Sequence, residues 1–586
     1  MRGPPAPPPL HATVADALRA AAGHGSGVTF VDLRERETAL GWAEVARRAG
    51  EAAGALSRAG VRPGDQVAIV LRTEPAFLDA FLGAAVLGAV PVPLYPPVRL
   101  GRLEEWTAAT ARMIEVSGAR LVVSGGASAR LLGEAVARAR PPLGWLAAER
   151  LLGGPPAPPR AVRPEDLALV QFSSGSTVDP KPVALTHRAL TAQIASLVAL
   201  VRPTSADVLV SWLPLYHDMG LIGCLLGALS YPGPLVLLPP EHFLARPSLW
   251  LRAISRHRGT ISAAPSFGYS YAAERAPAAD LDGLDLSSWR IALDGAEPVS
   301  PLVLRRFADR LAPHGLDPRG LLPVYGLSEA ALAVSFCPPR WPLRTVRADA
   351  RRLAAEGLLA PGEREIASVG VPVPGVEVEV RGARGEPLPP GRVGRIHVRS
   401  PSLMREYLGQ QAATAAALRG GWLDTGDLGF EQDGELYVHG RAKDLVVVRG
   451  ANHAPEEFEG CLAGVAGLRP GCAVAIGQPG PSGEEGLWIL AERAAGAGGE
   501  EEADLAEEVR RAVTERTGVA PAEVRILAPG TLPRTSSGKL RRGEARRRLE
   551  AGALLPPSRP GALALLGRAA RSALVLRRLR TGEPHG

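Results

Sequence analysis
The sequence predicts an α/β protein: a large N-terminal domain of layered parallel sheets and helices carrying a small β-rich subdomain, then a small α+β C-terminal domain. Three observations predict it. From about Thr13 to Gly440 short apolar runs alternate with Ala-, Leu- and Arg-rich helix-like segments, the pattern of buried parallel strands joined by helices. Between Gly375 and Tyr437 the pattern changes to short alternating strands with glycine turns, as in Val376-Glu377-Val378-Glu379-Val380. After Lys443 a compact stretch of about a hundred residues follows, an ordinary small-domain size. A chain of 586 residues is too long for one simple core.

Taken in order, the strand candidates of the large domain are 67–71, 167–172, 208–213, 235–238 and 290–293. The stretches 77–98 and 220–240 are apolar enough to suggest a membrane span. Asp79 and four prolines interrupt the first, Pro232 and Pro234 the second, so each reads as a buried helix followed by a buried strand. A Glu/Gly-rich loop at 496–504 interrupts the small domain. The tail, 551–586, is basic and reads as a flexible, solvated terminus: its leucines are irregularly spaced, which counts against docking on a membrane surface or an acidic partner.

Composition narrows the class. Hydrophobic content of 46% and charged content of 22% are those of a globular protein. The net charge of +7 is spread along the chain without zinc-finger spacing or an aromatic-basic RNA motif, so no nucleic-acid partner is expected. Cys224, Cys337, Cys461 and Cys472 lie in apolar or small-residue surroundings without CxxC pairing. They are expected as buried free thiols in a reducing compartment, the cytoplasm. The Pro-rich N-terminus has no apolar signal core.

Lysine is the most informative residue. The chain has three, Lys181, Lys443 and Lys539, against 64 arginines. Each lies in a motif where a compact, rotatable ammonium has a use that the planar guanidinium fork does not meet. The first motif, Ser173-Ser174-Gly175-Ser176-Thr177-Val178-Asp179-Pro180-Lys181, follows a strand candidate and offers hydroxyls and backbone N–H groups to phosphate oxygens. It is not a GxxxxGK[ST] loop. The second, Tyr325-Gly326-Leu327-Ser328-Glu329, places an aromatic ring beside a hydroxyl and a carboxylate able to meet a purine, a phosphate and its Mg²⁺. The third, Asp424-Thr425-Gly426-Asp427 with Gly440-Arg441, offers a carboxylate and a guanidinium to ribose hydroxyls. The fourth, Thr535-Ser536-Ser537-Gly538-Lys539, presents one ammonium from a loop near the end of the small domain.

In this order and at these separations the four motifs resemble those of the adenylate-forming superfamily of acyl-CoA synthetases, peptide-synthetase adenylation domains and luciferases. The resemblance covers about Thr13 to Arg548. Within it the chain is most similar to the fatty acyl-AMP ligases, through Pro93-Leu94-Tyr95-Pro96-Pro97, the run Ser211 to Gly223 containing His217-Asp218-Met219-Gly220, Ala264-Pro265-Ser266-Phe267-Gly268-Tyr269, Asp294-Gly295-Ala296-Glu297-Pro298 and Arg449-Gly450-Ala451-Asn452-His453. The segment 344–366 resembles the insertion that in that family hinders the rotation needed for reaction with CoA.

The resemblance implies an adenylation domain over 1–440, a hinge at 441–443 about Lys443, and a mobile lid domain over 444–550. It implies that a fatty acid and ATP, with Mg²⁺, give acyl-adenylate and pyrophosphate, and that the acyl group passes to an acyl carrier protein. Lys539 is then the principal catalytic residue, with His217 beside the carboxylate and Glu329 on Mg²⁺. Ser174, Gly175, Ser176, Thr177 and Lys181 hold phosphates, and Ser328 one more. Tyr325 and Gly326 with Gly295, Ala296 and Glu297 frame adenine, while Asp427 and Arg441 hold ribose. The chain departs from the family where Val178 and Pro182 replace two phosphate-loop glycines and where Arg395 replaces a common glutamate. A degenerate nucleotide-binding protein, an acyl-CoA synthetase, and an amino-acid adenylating enzyme using Asp218 stand as alternatives.

Overall fold
The computed structural model describes residues 1–97, 100–158, 160–173, 181–448, 450–479, 485–494, 502–535, 538–557 and 561–581. At its centre is a nine-stranded sheet. Six neighbouring strands are parallel: Leu321–Gly326, Ile291–Asp294, Ile261–Ala264, Leu209–Ser211, Leu235–Leu237 and Gly27–Val31. Antiparallel strands extend both edges. A second sheet of four parallel strands, Val90–Pro93, Gln66–Val70, Leu121–Ser124 and Trp145–Ala147, lies in the same domain. Trp42, Phe77, Phe81, Trp250, Tyr269, Trp289 and Phe307 are fully buried in the core that joins these layers.

The stretch read as helix then strand at 77–98 is helix Pro75–Leu87 followed by strand Val90–Pro93. Pro75 opens that helix and Gly88, at φ +77°, closes it, the positions proline and glycine favour. At 220–240, strand Leu235–Leu237 is present, but Met219–Leu226 is a wide π-helical turn, a form that collects at functional sites. Strand Leu167–Phe172 departs from the parallel expectation: it pairs antiparallel with Pro182–Thr186, placing Pro182 opposite Phe172. Proline is tolerated as the first residue of a strand. Pro182 therefore sits on a ladder beyond the phosphate loop, whose residues Ser174, Gly175, Ser176, Thr177 and Val178 lie outside the described residues.

The β-rich subdomain is a five-stranded antiparallel sheet built on Trp422–Gln432. The small domain carries strands Leu468–Pro479, Glu485–Arg493 and Glu523–Leu527, helices Glu502–Thr517 and Arg542–Glu550, and two small apolar cores. All four cysteines are buried free thiols. Among the described residues no helix is long and apolar enough to cross a membrane.

The tail differs from the flexible terminus expected of it. Residues Ala562–Thr581 form a helix on the large domain's helix Gly126–Ala139. Ser572 Oγ accepts from Gly133 N at 2.7 Å and donates to Ala129 O at 2.8 Å, and Leu576 is buried. A Cβ on Gly133 would strike the Ser572 backbone, so glycine is what admits the helix. The irregular leucine spacing conceals one apolar stripe among others.

Candidate active site
The carboxyl ends of three parallel strands feed one cavity: His217 and Asp218 follow Leu209–Ser211, Ala296 follows Ile291–Asp294, and Tyr325 to Glu329 close Leu321–Gly326. That edge is where open α/β sheets bind ligands. The cavity, about 530 Å³, is also lined by Ser173 and Lys181, on either side of the phosphate loop, and by Lys539 of the small domain. All three lysines of the chain line it, although 358 positions separate Lys181 from Lys539.

Glycines set the local backbone. A Cβ at Gly220 would strike the Pro214 carbonyl, and one at Gly326 the Leu332 carbonyl. These two close approaches fold the His217 loop and the Tyr325 strand end against their neighbours.

One wall is charged. The Asp218 carboxylate accepts from Met219 N at 2.7 Å and Ser328 Oγ at 2.5 Å and lies 2.6 Å from His217 Nδ1. Burial raises its pKa, but His217, Ser328 and Lys539 together hold it well below the usual carboxylate range. His217 Nε2 is buried with no partner among the described residues. Lys539 is buried beside this group. Burial pulls its pKa below the ordinary lysine range, while Asp218 pulls it back up. Its loop is held by Thr535 N donating to Lys539 O at 2.7 Å and Lys539 N donating to Thr535 Oγ1 at 3.1 Å. Gly538, at φ +96°, rests against the Phe267 ring.

The other wall is hydrogen-bonded. Tyr325 OH donates to Asp427 Oδ2 at 2.7 Å and Arg441 Nε to Asp427 Oδ1 at 3.0 Å. Tyr407 OH donates to Glu329 Oε1 at 2.8 Å, and burial raises the Glu329 pKa. Lys181 Nζ lies 4.4 Å from the Tyr407 ring centre, a cation–π contact. Burial lowers the Lys443 pKa.

Ten predicted residues therefore meet at the cavity: Lys181, His217, Ala296, Tyr325, Gly326, Ser328, Glu329, Arg441, Lys443 and Lys539. Three others stand behind its wall. Gly295 packs against Val324, Glu297 accepts from Phe267 N at 2.6 Å, and Asp427 is covered by Tyr325 and Arg441. Four members were not among the expected site residues: Asp218, Tyr407, Arg395 and Asp424. Asp218 joins His217 to Ser328; its place in the same run as His217 was the available signal. Asp424, the first residue of the third motif, pairs with Arg395, which stands in place of a common glutamate, bidentate at 2.8–3.1 Å; Tyr407 lies in no motif, and nothing local marks it.

Beyond Met219 the cavity continues between apolar side chains, including Val198, Leu209, Ala228 and Ile261. The segment 344–366 forms a hairpin, Thr345–Ala348 with Arg364–Ala367, enclosing helix Ala350–Glu356. It touches the small domain: Arg364 Nη1 donates to the buried Glu457 at 3.1 Å, and Arg351 lies against Gly518.

A family model described as AMP-binding enzyme matches residues 18–408. The chain is 30% identical over 569 residues to a long-chain-fatty-acid–AMP ligase, FadD32, of Mycolicibacterium smegmatis, covering 86% of this chain and 88% of that protein. It is 36% identical over 555 residues to a Caulobacter vibrioides protein provisionally named an acyl-CoA synthetase, covering 92% and 96%. Among solved structures, one from a study of fatty acyl-adenylate ligases of E. coli and L. pneumophila superposes with a TM-score of 0.87 at 33% identity, covering 92% of this chain and 98% of that one. An L. pneumophila fatty acyl-adenylate ligase bound to acyl adenylate and pyrophosphate superposes at 0.70 and 26% identity, covering 92% and 96%.

Proposed function
The chain belongs to the AMP-binding enzyme family, and within it we propose that it joins a fatty acid to ATP, releasing pyrophosphate, and passes the acyl group from the adenylate to a carrier-protein thiol. One observation carries this reading: a single cavity gathers all three lysines beside Glu329 and Arg441, then continues into an apolar channel. The charged end suits a triphosphate and a carboxylate, the channel an acyl chain.

The barrier to such a reaction is the approach of two anions, so positioned charge does most of the work. Lys539, reaching in from the small domain, neutralises the carboxylate as it attacks the α-phosphate. Asp218 opposes the loss of the Lys539 proton that burial favours, and holds His217 through Nδ1, leaving Nε2 as the ring nitrogen without a protein partner among the described residues. Lys181 meets the departing phosphates. Tyr325 offers a ring for adenine, and Arg441 with Asp427 a clamp for ribose hydroxyls. Glu329 fits Mg²⁺: it is a buried hard-oxygen ligand at the cavity wall, and this ion commonly binds through one or two carboxylates plus substrate phosphates. Bound there, the ion supplies charge neutralisation on the phosphate oxygens.

Two features favour acyl-AMP over the alternatives. Asp218 already accepts from Met219 N and Ser328 Oγ and lies against His217 Nδ1, so it is engaged within the protein and does not stand open to the ammonium of an amino acid. The hairpin 345–367 holds the small domain at Glu457 and Gly518, which opposes rotation about Lys443 toward a CoA-accepting arrangement. The test is a product assay with ATP, Mg²⁺ and fatty acids, run alone, with CoA, and with a phosphopantetheinylated carrier. Adenylate without acyl-CoA, plus carrier loading, supports the proposal. Acyl-CoA moves the chain to the CoA ligases, and absence of any adenylate overturns the activity.

A further inference from the structure
Helix Ala562–Thr581 carries two apolar stripes. The inward one, Leu565, Ser572, Leu576 and Leu579, repeats at near-helical intervals and packs on the large domain, with Arg568 pinned to Glu104 at 2.8 Å. The outward one is Leu563, Leu566 and Leu574, exposed by 85%, 66% and 53%. These positions, three and eight residues apart, share one helix face, and exposed Arg571, Arg577 and Arg578 lie on and beside it.

Charge is concentrated in the same place. The helix has five arginines and no acidic residue, against a net charge of +7 for the whole chain. Exposed leucines beside arginines, on a helix too polar to span a bilayer, are the features of a helix lying in a lipid interface. No residue of the helix lines the cavity. Its partner therefore has no need to deliver a group to the reacting atoms, as a carrier protein must.

We propose that this helix is an interfacial anchor, laying Leu563, Leu566 and Leu574 on an anionic lipid surface while its inward stripe stays docked on helix Gly126–Ala139. The leucines supply apolar burial and the arginines attract anionic headgroups, so binding weakens with salt.

The test is flotation of the full-length protein with phosphatidylcholine vesicles, with and without phosphatidylglycerol. It requires no catalysis, so its outcome is independent of the proposed activity. The expected result is binding to the anionic vesicles, weakened about tenfold or more in the Leu563→Ser/Leu566→Ser/Leu574→Ser variant. Arg571→Gln/Arg577→Gln/Arg578→Gln is expected to lose the dependence on phosphatidylglycerol. An unchanged thermal melt in both variants shows that the inward face remains docked. Equal binding by wild type and the leucine variant, no preference for anionic vesicles, or no binding at all overturns the proposal. So does loss of carrier-protein loading in the leucine variant without any change in flotation, which identifies an acidic protein partner instead.

Discussion
On the wall built by Tyr325, Asp427 and Arg441, polar groups answer one another within the protein: a phenol and a guanidinium share one carboxylate. Around Lys539, Asp218 is hydrogen-bonded to Met219 N and Ser328 Oγ, but His217 Nε2 has no partner among the described residues and Lys539 is buried at a depressed pKa. The first wall is arranged before any ligand arrives and suits binding. The second holds polar groups in an environment that penalises them, the condition under which they act most strongly on an incoming charge. Under the proposed function, the contrast separates residues assigned to holding the nucleotide from residues assigned to lowering the barrier.

That separation can be broken by kinetics. Lys539→Ala is expected to have the largest effect, a fall of about 10²–10³-fold in adenylation kcat with ATP binding by calorimetry little changed; equal losses in binding would erase the distinction between the walls. Asp218→Asn sharpens it through pH. Burial lowers the Lys539 pKa and Asp218 raises it, so removing the carboxylate lowers it further. The alkaline limb of the kcat profile, where the ammonium is lost, then moves to lower pH.

On the binding wall, Arg441→Ala is expected to raise KM for ATP about tenfold with kcat nearly retained. Tyr407→Phe removes one hydrogen bond to Glu329, and a several-fold weaker dependence on Mg²⁺ is expected in a titration of activity. The smallest effect concerns stability away from both walls. Buried His187 accepts from Val14 N at 3.2 Å, and burial lowers its pKa to about 4. The unfolded chain takes up this proton near 6.5 and the native chain does not, so stability falls as pH drops through that window. His187→Asn should flatten this part of a denaturation profile measured across pH.

Much of the fold and of the site was legible because both are written in local patterns. Strand runs such as Val67 to Val70 and the switch near Gly375 report burial on two faces or one. The motifs around Lys539, Tyr325 and Arg441 are contiguous. What escaped depended on distant partners. Tyr407 matters because its strand pairs with Pro182–Thr186, placing its hydroxyl on Glu329 and its ring under Lys181. Leu167–Phe172 looked like its parallel neighbours because an apolar run does not state the direction of its pair. The tail looked irregular because two stripes share one helix.

By itself the sequence determined the α/β class with a small C-terminal domain and ten of the groups brought to the cavity, since periodicity and short motifs depend on neighbours along the chain. Only the tertiary structure decided that Asp218 stands between His217 and Ser328, that Asp427 backs the wall rather than lining it, and that the tail has an inner and an outer face. Hydrogen bonding and desolvation act over a few ångströms of space, and the residues they join here are separated by as many as hundreds of positions along the chain.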